Sequence, residues 1–409
     1  MNRCDIIHPL EDYRYIIDDE TISRLYQDAR PLYDVSVVTI NSTTQGGGVA
    51  EILNSLTPLL NDIGVEFGWR VIPGSPDFFV ITKKFHNGLQ GEQINLTDMK
   101  KCLYQDFNSR FAKYTHIDHG CVIVHDPQPL PLISYYRKSQ PWIWRCHVDL
   151  SNPNRDLWDY LKGFILRYDL VVVSHKDYIQ PDLPVEQRVI HPAIDPLCPK
   201  NRPMGKKVID RYLKKFAIPR DKPLITQVSR FDKWKDPEGV IDIFREVKKE
   251  VDCRLVLCGS IALDDPECTF VHDGCMRKIQ QCGIEDDVIL ITSENNILVN
   301  SLQQVSDVII QRSIREGFGL SVTEALWKGR PVVASNTGGI PLQITDGENG
   351  YLLDPEDTEG FSERVLSLLD DPRRAEEMGI KGRETVRKHF LITRLMSDYM
   401  RMIGDLTSA

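Results

Sequence analysis

At 409 residues the chain is too long for one simple core, and two domains of roughly 200 residues each are the natural division. Hydrophobic residues make up 41% and charged residues 27%, an ordinary globular composition, and the net charge of −9 argues against a broad nucleic-acid surface. No stretch approaches the roughly 18 uninterrupted apolar residues of a membrane helix. The start, Met1-Asn2-Arg3-Cys4-Asp5, leads into charged and aromatic sequence without an apolar core of signal-peptide length, so a cytoplasmic protein is expected. The sequons at Asn41 and Asn95 then carry no meaning. Ten cysteines are scattered without a Cys-x-x-Cys pair. Five of them fall between Cys253 and Cys282, at spacings that fit no zinc module. They read as small buried hydrophobes, and no metal site is expected.

Short β-branched runs alternate with longer amphipathic segments. Strands are predicted over 35–40, 67–72, 121–125, 141–147, 170–174 and 188–190. A Pro-rich stretch follows (Pro192, Pro196, Pro199, Pro203). The alternation then restarts with strands over 224–228, 254–258, 288–291, 308–311 and 331–334, and with helices such as 240–250 and 321–328. Such alternation implies an α/β fold: parallel sheets with helices on both faces, here two Rossmann-like, doubly wound domains joined by a hinge. The expected division is 1–198 and 199–389, with a last helix over about 390–409 packing back on the first domain. Open sheets of this kind bind ligands beyond the carboxyl ends of their strands, so two facing domains would enclose an interdomain cleft.

Three segments that follow strands carry the chemistry. The first strand runs through Asn41 to Gly46-Gly47-Gly48 and a helix. Such glycines let a backbone approach a phosphate at a helix N-terminus, or simply supply a turn that needs positive φ; both readings stand. The strand over 224–228 leads into Arg230 and Lys235, a planar fork and a mobile point charge that suit a diphosphate. Taken alone, charges on a loop are more often merely solvated. The strand over 308–311 leads into Glu316-Gly317-Phe318-Gly319-Leu320 and then Glu324. Two glycines permit a tight loop with exposed amides at the positive end of a helix. The two carboxylates are acceptor-rich groups suited to vicinal hydroxyls, one to a sugar and one to a ribose diol.

Glu316 and Glu324, with Gly-Phe-Gly-Leu between them, resemble the E-x7-E signature of retaining GT-B glycosyltransferases of family 4. Ser229-Arg230 with Lys235 is similar to that family's basic pair, and Pro331-Val332-Val333-Ala334 with Gly338-Gly339-Ile340-Pro341 to the strand and glycine turn that follow. The resemblance narrows to the branch of trehalose glycosyltransferring synthases and trehalose phosphorylases. The segments that narrow it are Trp142 to Ser151, His125-Asp126-Pro127-Gln128-Pro129, Phe85-His86-Asn87, Leu89-Gln90-Gly91, Asn41-Ser42-Thr43 and Asp264-Asp265-Pro266-Glu267. Cys268 departs from the glycine expected there and puts the local turn in question.

The resemblance implies roles. Residues 1–198 become the acceptor domain and 199–389 the nucleotide-sugar donor domain of a GT-B fold. Arg230 and Lys235 would hold the donor diphosphate, Glu324 the ribose hydroxyls, and Glu316 the donor glucose, with amides of Gly317, Phe318, Gly319 and Leu320 nearby. His147 would contact the transferred sugar from the other domain; on its own it reads as a core histidine at a strand end. Gly47 and Gly48 would approach the phosphate or acceptor, and Asp126 and Asp149 the acceptor. The implied activity is retaining glucosyl transfer from UDP- or ADP-glucose to free glucose, giving trehalose by front-face substitution. Arg230 and Lys235 would offset the charge of the departing diphosphate. No cofactor is obligatory, with Mg2+ a stimulant at most. The expected partners are the sugar nucleotide and glucose, with no nucleic acid and no membrane; oligomeric state is left open, a homodimer being one option. Three alternatives share the fold: a trehalose phosphorylase using glucose 1-phosphate, an NDP-sugar epimerase, and a catalytically silent sugar-nucleotide sensor.

Overall fold

The apolar runs of the first half form six strands: β1 (Val37–Asn41), β2 (Phe67–Val71), β3 (Cys121–His125), β4 (Trp142–Arg145), β5 (Leu170–Val173) and β6 (Glu186–Val189). β1, β3, β4 and β5 are buried along their whole length, as strands covered by helices on both faces must be. All pair in parallel, in the order β2-β1-β3-β4-β5-β6. The second half repeats the plan with β7 (Leu224–Val228), β8 (Arg254–Gly259), β9 (Val288–Thr292), β10 (Val308–Gln311), β11 (Val332–Ser335) and β12 (Tyr351–Leu353). That sheet is also parallel, in the order β12-β11-β10-β7-β8-β9. This computed structural model describes residues 8–259 and 266–408. The opening Met1-Asn2-Arg3-Cys4-Asp5 and, within the segment Asp264-Asp265-Pro266-Glu267, Asp264 and Asp265 lie outside the described residues.

The chain divides into two compact units, one of Met1–Ala193 with Ile392–Ala409, the other of Ile194–Leu391. The last helix, Ile392–Thr407, belongs to the first unit. Ser397 Oγ donates to Asp28 and Arg188 pairs with Asp405 at 2.6 Å. Buried Leu395, Met396, Tyr399 and Met400 make its apolar face. The second unit closes on itself where Ile194 N donates to Phe390 O at 2.9 Å.

Several expectations needed adjustment. The run over 141–147 forms a strand only over Trp142–Arg145; Cys146 N still donates to Val172 O at 2.9 Å, and His147 N then turns to Asp126. The last strand of the first sheet lies at Glu186–Val189, an edge whose polar residues do not alternate cleanly. β12 is absent from the sequence reading: three residues are too few for periodicity to show. Cys268 sits in no turn but inside the helix Pro266–Cys282, fully buried, where a side chain rather than glycine fills the core. Cys253, Cys258 and Cys275 are buried as well. No helix among the described residues is long and apolar enough to cross a membrane.

Candidate active site

In the second sheet the strand order reverses between β7 and β10, which lie side by side. A ligand crevice in an open parallel sheet opens beyond the carboxyl ends of strands at such a reversal. The loop leaving β7 is held from several sides. Ser229 N donates to Cys258 O at 3.1 Å. Asp232, buried, accepts from Trp234 N at 2.9 Å and closes the short turn Lys233–Lys235. Gln227 donates from Nε2 to Lys235 O at 2.8 Å, and Ile314 N donates to Trp234 O at 2.8 Å, tying this loop to the one leaving β10.

The two loops meet through side chains as well. Lys235 Nζ lies 2.5 Å from Glu316 Oε2. Glu316 is buried and held by an oriented relay: Ser321 Oγ donates to Gln311, Gln311 Nε2 to Ser313 Oγ at 3.0 Å, and Ser313 Oγ to Glu316 Oε2 at 3.2 Å. Arg230, on the same loop as Lys235 and more exposed, pairs with Asp232 at 3.5 Å. Asp236, in the left-handed region at φ 43°, accepts from Gly239 N at 3.0 Å and pairs with Arg312, whose Nε donates to Pro355 O at 2.7 Å. Arg312 thus fastens together the loops that leave β7, β10 and β12. Gly239 makes the clasp possible, because a Cβ there would lie 1.3 Å from Arg312 Nη1.

Beyond Glu316, Gly317 and buried Phe318 lead to Gly319 at φ +90°, which caps the helix Leu320–Trp327 with Leu320 as its first residue. Phe318 O accepts from Gln343 Nε2 at 2.6 Å. On that helix Glu324 is only 1% exposed, and Lys200 Nζ stands 2.9 Å from its Oε1.

In the first sheet the order reverses between β1 and β3. After β1, Gly46 and Gly47 take positive φ, 70° and 102°, and Gly48 opens the helix Gly48–Asp62. The turn therefore needs glycine at Gly46 and Gly47 whatever they bind. Thr39 Oγ1 and His125 Nε2 share a hydrogen bond of 2.7 Å, and His125 Nδ1 and His147 Nε2 one of 2.9 Å, with the two rings stacked. Asp126, at φ 61°, accepts from His147 N at 2.8 Å. Burial and then the charge of Arg145 hold His125 down at about 3, and the same causes push His147 down. Burial raises Asp126 to about 6, against the His147 amide and Arg145. Asp149 is buried, and its Oδ1 accepts from Ser151 N at 2.8 Å.

The structure thus brings Lys235 to Glu316 and Asp126 to His147, and sets Glu324 apart, against Lys200. Sequence reasoning passed over Lys200, Arg312 with Asp236, and His125 with Thr39. Of these, His125 lies in a segment that carries the family resemblance, His125-Asp126-Pro127-Gln128-Pro129. Among the described residues no three or more His, Cys, Asp or Glu side chains gather as metal ligands.

The family description "Trehalose synthase, N-terminal domain" matches residues 39–180, and "Glycosyl transferases group 1" matches 208–385. A trehalose synthase of Pyrococcus horikoshii is 47% identical over 97% of this chain and 96% of its own. The chain belongs to the trehalose synthase family. A trehalose phosphorylase of Pleurotus pulmonarius is 29% identical over 90% of this chain and 57% of its own length. Among solved structures, a UDP-forming α,α-trehalose-phosphate synthase from Burkholderia xenovorans superposes with a TM-score of 0.72 at 13% identity, covering 92% of this chain and all (100%) of that one. Membership of the trehalose synthase family makes this chain a trehalose-related glycosyltransferase, and its two parallel-sheet Rossmann-like units are those of the GT-B fold.

Proposed function

We propose that this chain transfers glucose from an NDP-glucose, UDP- or ADP-glucose, to free glucose with retention of configuration, giving trehalose and the nucleoside diphosphate. The observation that carries the reading is the direct contact of Lys235 with Glu316 at the strand reversal of the second sheet, with Arg230 on the same loop. A sugar nucleotide asks for both groups in one place: cations for its diphosphate and a carboxylate for its sugar hydroxyls. In the reaction the bond between glucose C1 and the diphosphate oxygen breaks. The anomeric hydroxyl oxygen of the acceptor bonds to C1 on the same face, and its proton passes to the departing diphosphate. Arg230 and Lys235 offset the negative charge that grows there, where preorganised charge contributes most. Glu316, held by Lys235 and Ser313, positions the sugar rather than attacking it. Gly317, Phe318, Gly319 and Leu320 offer amides at the helix start, and Glu324 takes the ribose hydroxyls. The neutral imidazole of His147, with Asp126, Asp149, Gly47 and Gly48, serves the sugars or the acceptor. We place the reaction in the cytoplasm, without obligatory metal, nucleic acid or membrane.

The similarity to a trehalose phosphorylase favours a second reading, in which glucose 1-phosphate is the donor. A donor panel of UDP-, ADP- and GDP-glucose and glucose 1-phosphate, each with glucose, separates the two. Disaccharide from a nucleotide donor is expected; disaccharide from glucose 1-phosphate alone would transfer the assignment to the phosphorylase. Incubation of UDP-glucose without acceptor should leave the sugar unepimerised.

A further inference from the structure

Glu324 is a carboxylate with 1% exposure, and an ionised carboxyl is costly to bury unless an opposite charge meets it. The cation that meets it comes from far along the chain. Lys200 lies in the Pro-rich connector, and that connector is fastened to the second unit by a set of polar contacts. Asn300 Nδ2 donates to Pro199 O at 2.9 Å and Arg202 O at 2.8 Å. Trp327 Nε1 donates to Asn201 O at 3.2 Å, and Lys328 Nζ to Asn201 Oδ1 at 2.9 Å. Lys200 is therefore delivered to Glu324 by a segment whose backbone is fixed on both sides of it.

We propose that Lys200 is a positioning residue for the nucleotide, keeping Glu324 ionised and oriented so that it accepts both hydroxyls of a ribose. The inference rests on the donor reading above. An ionised carboxylate only accepts hydrogen bonds, whereas a protonated one carries an O–H and competes with the diol as a donor. A vicinal diol presents two donors, so it is matched only by the ionised form. The charged and titratable groups on neighbouring elements have contacts of their own or stay neutral. Lys328, just after that helix, is committed to Asn201 and Gln303. Arg383, from the helix Pro372–His389, lies over the ring of Trp327. Cys258, at the end of β8, is pushed up to about 12 by burial and stays a thiol. The helix Asn296–Val305 contributes no ionisable side chain.

The test is titration of UDP, ADP and inorganic pyrophosphate into the full chain, as wild type, Lys200→Met, Lys200→Arg, Glu324→Gln and the Lys200→Met/Glu324→Gln pair. Without Lys200, Glu324 loses the cation paired with it, and burial then favours the protonated carboxyl at low pH over the ionised one at high pH. The ratio of variant to wild-type Kd for the nucleotide should be on the order of 10-fold near about pH 6 and shrink to about twofold near about pH 9. Lys200→Arg should stay within about threefold, since the charge is kept. Pyrophosphate binding should not change, and Lys200→Met should add nothing in the Glu324→Gln background. A ratio that is flat with pH, an equal loss for pyrophosphate, or an additive double variant overturns the proposal. Should Lys200→Met fail to fold, Lys200→Gln is read in the same way. A wild type that binds neither UDP nor ADP overturns the donor reading and the inference with it, whereas nucleotide binding indifferent to Lys200 overturns the inference alone.

Discussion

At the strand reversal of the first sheet the two imidazoles are neutral. His125 and His147 are kept uncharged by burial and by Arg145, and the carboxyl of Asp126 is raised to about 6. At the reversal of the second sheet the groups are charged and paired: Lys235 with Glu316, Arg312 with Asp236, Lys200 with Glu324. The two sites share a topological position and differ in electrostatics. A sheet end that must receive a diphosphate needs fixed charge. One that receives only hydroxyls is better served by neutral donors and acceptors, which lose less on desolvation. On the proposed reading, this contrast assigns the diphosphate to the second unit and the acceptor to the first.

The largest effect should come from the charged unit. Arg230→Ala and Lys235→Ala should each lower kcat by roughly 100- to 1,000-fold, the usual cost of removing a group that stabilises developing charge. Steady-state kinetics with saturating NDP-glucose and glucose checks this, and equal losses on His147→Ala would break the contrast. In the first unit, His125→Leu should lower kcat/KM for glucose by about 10-fold, because His147 loses the partner that fixes its ring. His125→Asn, whose amide nitrogen occupies the place of Nδ1, should restore most of that loss.

Smaller still is the clasp. Arg312→Gln should raise donor KM by roughly three- to tenfold while sparing kcat for glucose-saturated turnover, as the loop carrying Lys235 loosens. Arg312→Lys should not rescue it, since a point charge cannot serve both Asp236 and the Pro355 carbonyl.

The last prediction concerns stability rather than rate. His125 and His147 titrate lower in the folded chain than in the unfolded one, so their contribution is fully present above about pH 6.5 and is lost as pH falls, that of His125 toward about 3. Each suppressed proton gives a slope of about 1.4 kcal/mol per pH unit in that window. Urea unfolding across it should show a shallower slope for His125→Leu than for wild type.

What the sequence shows and what it hides follow physical lines. Gly319 and the Glu316 to Glu324 spacing are local, so the loop and its helix are legible, and the apolar runs announce eleven of the twelve strands. Lys235 and Glu316 are legible singly, but their contact needs β7 beside β10, a pairing of strands with two others between them in the chain. Lys200 and Glu324 are farther apart still, and nothing about a lysine in a Pro-rich connector announces a buried carboxylate. His125 meets His147 only because the parallel register sets His125 against Arg145, which leaves His147 just beyond the strand end. Long-range pairing, rather than local propensity, decides these contacts.

The central claim is tested most directly by proton NMR of a reaction containing NDP-glucose, free glucose and the full chain, with released nucleoside diphosphate measured in the same sample. The account predicts a single non-reducing disaccharide with both anomeric centres α, formed one for one with the nucleoside diphosphate. Release of nucleotide without disaccharide, or a disaccharide with an inverted or reducing centre, would contradict it.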